Sequence, residues 1–166
     1  FLKKGTIGVN IYYFIWQIGS YFSICKNKHS FDFVHHITFG VFRHFSLLHR
    51  LGIPFFFGPV GGGEQMPNLI KKNFSYSFQI VETIREYINW LSKFNPFLRF
   101  MYAKSAIIFC KTNETKMFIP PIYHSKCVTN LEIGISKKGI NDKSQFRVKS
   151  NKQFEILYVG RFLYWK

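Results

Sequence analysis

Three short stretches of this sequence carry residue types suited to chemistry. The first is Gly58-Pro59-Val60-Gly61-Gly62-Gly63-Glu64, three consecutive glycines ahead of a lone acid. Glycine has no Cβ, so a ligand can approach the backbone there, and free amide N–H groups can meet an anion. Neither GxxxxGK[ST] nor GxGxxG is present, so this is not one of the familiar phosphate loops. The plain alternative is a tight turn between a strand and a helix. The second stretch is His35-His36, with Thr38 two residues on. A histidine can hold a hydroxyl or move a proton near neutral pH. Adjacent residues of a strand point to opposite faces, so one of the two at most reaches a cleft and the other is structural. The third is Gly160-Arg161, with Lys166 five positions later. An arginine grips a phosphate bidentately, and a lysine adds a point charge.

Other chemistries lack their residues. No GxSxG nucleophile motif is present. The histidine pair has no third ligand at a suggestive spacing, so no metal is expected. Cys25, Cys110 and Cys127 are three, widely separated and without a CxxC pair, which fits a reduced, cytoplasmic setting. The 23 Lys and Arg against 8 Asp and Glu give a net charge of +15, which favours an anionic partner. These bases are spread along the chain rather than gathered on one helix, and the aromatics sit inside apolar runs. Nucleic acid is therefore not the expected partner.

The elements that would position these residues alternate. Residues 6–25 form a long apolar stretch interrupted by Asn10, Gln17, Ser20 and Ser23, read as a helix packed in a core rather than a membrane span. Residues 31–39 read as a buried strand. Residues 41–51 carry Val41, Phe45, Leu48 and Leu51 at helical spacing, with Gly52 as the terminating glycine. A strand over 53–57 leads into the glycine loop, and Pro67 opens a helix. Residues 76–101 are helical with a break near Asn95-Pro96. A strand follows at 105–110, a short helix from Asn113-Glu114 to before Pro120-Pro121, and a strand at 127–135. Repeated strand–helix alternation with continuous apolar strands predicts an α/β fold, a Rossmann-like parallel sheet with helices on both faces. Residues 137–152 form a basic linker, and 153–166 open a new apolar strand. The chain begins at Phe1 and runs out just after that strand, so it reads as a fragment of a longer protein.

The run "HHITF", the block "GIPFFFGPVGGGE", the later "LEIGI" and "ILYVGRFLYWK" together resemble group 1 (family 4) glycosyltransferases. These are retaining enzymes of the two-domain GT-B fold. The resemblance covers most of residues 11–135 and again 154–166. It implies a partial acceptor-side domain over 1–136 and the start of a donor-binding domain at 153–166. It implies transfer of a sugar from a nucleotide-sugar to a glycan or lipid-linked acceptor, with the nucleotide-sugar as substrate and no cofactor. Arg161 and Lys166, beside Gly160, would hold the donor diphosphate. His35 or His36 would lie close to the transferred sugar. Thr38, Gly61, Gly62, Gly63 and Glu64 would line the acceptor side. The family's acidic pair and base pocket are missing from this stretch, so it is expected to be inactive alone. Peripheral contact with an anionic inner membrane face is a further expectation. The rival readings are a non-catalytic α/β binding protein and a basic membrane- or nucleic-acid-associated module.

Overall fold

A computed structural model describes residues 6–130. Helix α1 (Thr6–Cys25) precedes strand β1 (Val34–His36). A 3-10 turn (Leu47–Arg50) leads to β2 (Phe55–Val60). Helices α2 (Asn68–Lys71), α3 (Tyr76–Ser92) and α4 (Pro96–Lys104) follow. Then come β3 (Ser105–Cys110), α5 (Asn113–Phe118), a further 3-10 turn (Pro121–Lys126) and β4 (Cys127–Thr129). The four strands form one sheet in the order β1-β2-β3-β4, and every pairing is parallel. The α/β, Rossmann-like architecture expected from the alternation is therefore present. No helix among the described residues is long and apolar enough to cross a membrane.

Local signals account for most elements. Asn95 caps α4 by accepting from the N–H groups of Phe97 and Leu98, and Pro96 supplies the first helical residue, which has no N–H to satisfy. That pair is also what separates α4 from α3. Thr112 caps α5 by accepting from Thr115 N–H. On the packed face of the sheet, Phe55, Phe57 and Ile108 meet Leu48, Leu98, Met101 and Tyr102, all fully or nearly fully buried. The Tyr102 hydroxyl donates to the Phe42 carbonyl at 2.6 Å, so the one polar atom of that ring is satisfied. The opposite face carries Phe33, His35, Phe56 and Phe109. Their rings touch, with Phe33 stacked on Phe56 at 5.2 Å, but Phe33 is exposed and the others only half-buried.

Helix α1 buries only the face of Tyr13 and Gln17, with Phe14, Ile15 and Phe22 exposed, and the strand expected over 31–39 is confined to Val34–His36. Two other expectations fail outright. Residues 41–51 are not a helix. Gly61 N–H donates to the Gly40 carbonyl at 2.8 Å and Phe42 N–H to the Gly61 carbonyl at 3.0 Å. Val41 thereby forms a parallel bridge with Gly61. Those backbone groups cannot also serve a helix, so only one 3-10 turn survives, capped by Ser46. Gly52 still ends it, at φ +79°. Strand β2 also runs on through Gly58-Pro59-Val60, past the expected end at Phe57. Its register with β3 shifts between Phe57 and Val60, and Lys111 N–H donates to the Val60 carbonyl at 2.8 Å. The expected linker at 137–152, the strand from 153 and the last residues of the 127–135 strand lie outside the described residues.

Candidate functional site

Parallel pairing brings the carboxyl ends of all four strands to one edge of the sheet. In open α/β sheets this is the edge where ligands bind. Thr38 follows β1 there, the glycine loop leaves β2, and Thr112 and Thr115 follow β3.

The glycine loop meets an anion, and that anion is its own Glu64. Gly62 N–H donates to Glu64 Oε2 at 2.7 Å. The hydroxyls of Thr115 and Thr112 donate to Oε1 at 3.0 and 3.2 Å. Burial alone would raise the Glu64 carboxyl. The bonds from its own N–H, Gly62, Thr115 and Thr112 outweigh burial and hold it below the usual carboxylate range. The other two glycine amides are also engaged, Gly61 with the Gly40 carbonyl and Gly63 with Thr115 Oγ1 at 3.2 Å. From above, α3 clamps the loop. Arg85 reaches the carbonyls of Gly62 (3.3 Å) and Glu64 (2.7 Å), and Asn89 Nδ2 donates to Gly62 O at 2.9 Å. Arg85 is itself fixed by an ion pair with Glu82 one turn back.

Close backbone approach explains these glycines. A Cβ on Gly63 would sit 2.5 Å from Thr115 Cα, and one on Gly58 would run into the Phe109 carbonyl. Gly62 has φ +92°, the left-handed region that side chains avoid. The question of what comes so near the backbone thus has an internal answer: the start of α5 and the neighbouring strand.

The two histidines part company. His36 faces the packed side, 3% exposed. Its Nε2 lies 2.7 Å from the Thr38 carbonyl. A carbonyl only accepts, so Nε2 carries the hydrogen and Nδ1 is the acceptor. Gln17 Nε2 (3.2 Å) and Ser46 Oγ (3.0 Å) meet Nδ1. The rest of Gln17 and Ser46 is used as well: Leu47 N–H donates to Gln17 Oε1 and Leu48 N–H to Ser46 Oγ. Burial lowers the His36 pKa to about 4, with the Thr38 bond opposing it in part, so the ring is neutral. His35 faces the other side of the sheet. It is half-buried, packs on Phe56 and Phe109, and donates from Nε2 to the Gly58 carbonyl at 2.8 Å. Of the pair, His36 is committed to α1 and the core, and His35 has the open surroundings.

Thr38, Gly61, Gly62, Gly63 and Glu64 therefore share one rim with His35, which is tied to β2 three residues before the glycines. Gly160, Arg161 and Lys166 lie outside the described residues. Among the described residues no group of three His, Cys, Asp or Glu side chains is placed to hold a metal. Sequence reading missed Arg85 and Asn89, the clamp on the loop. They are two polar residues four apart, so they share one helix face, but Glu82, Thr83 and Glu86 surround them and hide the signal. Thr112 and Thr115 were missed too, because an N-cap residue reads as local structure until a distant loop folds onto it. No family model, curated protein or solved structure matches this chain.

Proposed function

We propose that the chain is the acceptor-side portion of a nucleotide-sugar-dependent glycosyltransferase. The observation that supports this reading most is a coincidence of two independent features. The blocks that resemble the family, "HHITF" and "GPVGGGE", fall together on the carboxyl edge of a parallel sheet, the edge where such folds bind ligands. In this reading His35 contacts the transferred sugar and His36 positions the strand that carries it. Thr38 and the rim around Glu64 offer hydroxyl and carboxylate partners to a polyhydroxylated acceptor. Arg161 and Lys166 neutralise the donor diphosphate, and the reaction needs no metal or cofactor. The site works at the inner face of a membrane when the acceptor is lipid-linked.

The test is release of nucleotide from a panel of nucleotide-sugars by the full reading frame that encodes this chain. Arg161→Ala with Lys166→Ala should lower kcat/KM by about a hundredfold or more, since charged hydrogen bonds contribute roughly 1.5–3 kcal/mol each. Unchanged kinetics would remove the donor assignment. A second reading, a non-catalytic binding protein of the same architecture, is favoured by one feature: all three glycine N–H groups are already satisfied within the chain. Binding of a glycan with no release of nucleotide from any donor would select it.

A further inference from the structure

Beside the glycine loop, a cleft of about 920 Å³ lies between the start of α1, the Arg43-His44 segment and the junction of α3 with α4. Its lining divides by chemistry. Arg43 and His44 bring cationic and imidazole groups to it beside the polar Asn10, Ser92 and Asn95, and Val9, Ile88 and Leu91 supply apolar surface.

Arg43 is unusual for a half-buried cation. Among the described residues it has no carboxylate partner, since the ion pairs there join Lys71 to Glu86 and Arg85 to Glu82. Its Nε is buried with no hydrogen bond at all. Burial, and then repulsion from Arg85, disfavour its charge, yet a guanidinium does not give up its proton in a protein. A buried charge without a partner is costly, and the cost falls when an anion arrives. His44 stands beside it, its Nδ1–H held by the Phe39 carbonyl at 3.1 Å.

The apolar side does not end at the cleft. Leu91, Ile88, Ile84 and Val81 recur at three- and four-residue spacing along α3, and all four are exposed. They make one continuous stripe, running about 15 Å from the cleft toward the start of the helix at 1.5 Å per residue. A ligand that satisfies both halves has a compact anionic head and one hydrocarbon tail.

We propose that this cleft binds a single-chain lipid phosphate monoester, its phosphate on Arg43 and its chain along Leu91, Ile88, Ile84 and Val81. The anionic head answers the unpartnered cation of Arg43, and the excess charge of +15 favours its approach. The proposal deepens the lipid-linked acceptor in the reading above and rests on that reading for its role in transfer. Binding itself is measured without transfer.

The experiment is calorimetric titration of the purified chain with dodecyl phosphate below its micellar concentration. Saturable one-to-one binding is expected. Arg43→Met should weaken it tenfold or more and leave thermal stability equal or higher, because an unpaired cation has been removed. Ile84→Lys, at an exposed position that the fold does not need, should also weaken it tenfold. Inorganic phosphate should bind far more weakly than dodecyl phosphate. Equal affinity for the two would overturn the proposal, as would dodecanol binding as well as its phosphate. Three further outcomes overturn it: an affinity that neither variant changes, binding to phosphatidylglycerol vesicles with none to the monomeric amphiphile, and self-association that buries the α3 stripe. None of these depends on whether sugar is transferred, so the cleft and the transferase reading fail separately.

Discussion

His35 and His36 share a peptide bond and live in different surroundings. His36 is enclosed by α1 and the core, with both ring nitrogens engaged and its charge suppressed. His35 lies among half-exposed aromatic rings on a face that no described helix seals as tightly. The difference between the two faces of one strand separates what holds this protein together from what is left for a ligand. Around His36 on the packed face the polar groups of Gln17, Ser46 and Thr38 are matched to one another. On the open face and at the carboxyl rim, bonding capacity remains.

The comparison breaks most severely at the backbone between the two faces. Gly58→Ala puts a methyl group into the Phe109 carbonyl at φ +113°, and neither obstacle can move without parting β2 from β3. A loss of more than about 3 kcal/mol is expected, which is in the range of severe core lesions. A melting temperature within a degree or two of the parent would show that the strand can shift.

His36→Ala comes next. It strands the Thr38 carbonyl, Gln17 and Ser46 in the core, so a loss of about 3 kcal/mol is expected, seen in urea denaturation. The same residue sets an acid sensitivity. Its folded pKa of about 4 lies below the ordinary 6.5, so the unfolded chain takes up the proton first. Stability from this group is complete above pH 6.5 and declines as pH falls from 6.5 to about 4. Each pKa unit is 1.36 kcal/mol, so the decline is about 3 kcal/mol. His44 and His49, also lowered mainly by burial, act in the same direction. A flat stability profile across that window would mean that His36 is not enclosed as described.

Glu64→Ala is milder. Gly62 N–H and two threonine hydroxyls lose their acceptor, but the residue is exposed and water replaces part of it. About 1 kcal/mol is expected. An informative companion is pyrophosphate binding, which should rise in this variant because the amide and hydroxyl donors are vacated. No gain would show that the loop collapses rather than opens. The smallest change belongs to His35→Ala, at under about 1 kcal/mol, since its one bond is to a carbonyl at a half-open face. If transfer by the full reading frame is lost in this variant at unchanged melting temperature, the division between the histidines is functional. Equal loss of stability in both histidine variants would erase it.

How far this was legible depends on the range of each interaction. Thr6–Cys25, Ser105–Cys110 and the break at Asn95-Pro96 follow from local signals: a long apolar stretch, a short apolar run, and a cap followed by proline. Residues 41–51 carried an equally clear helical spacing and obeyed a distant partner instead, because pairing with Gly61 claimed their backbone groups. Strand alternation showed that His35 and His36 must diverge. It could not assign them, because the choice is made by Gln17 on α1 and Ser46 beyond the strand. The glycines were legible as a place of close approach. Their neighbour was not, since Thr115 lies far along the chain and reaches the loop only once β3 is paired.

Strand order in this sheet is the same as strand order in the chain. That coincidence concerns how the molecule is made. During synthesis, at about 5–20 residues per second, each new strand finds its neighbour already in place. None has to be inserted between two others. The sheet can lengthen in one direction, from β1 outward, with each step closing only the loop just made, whose entropic cost grows slowly with its length. Among the described strands each adds at the free edge of the one made just before it, and no existing pair has to open to admit another.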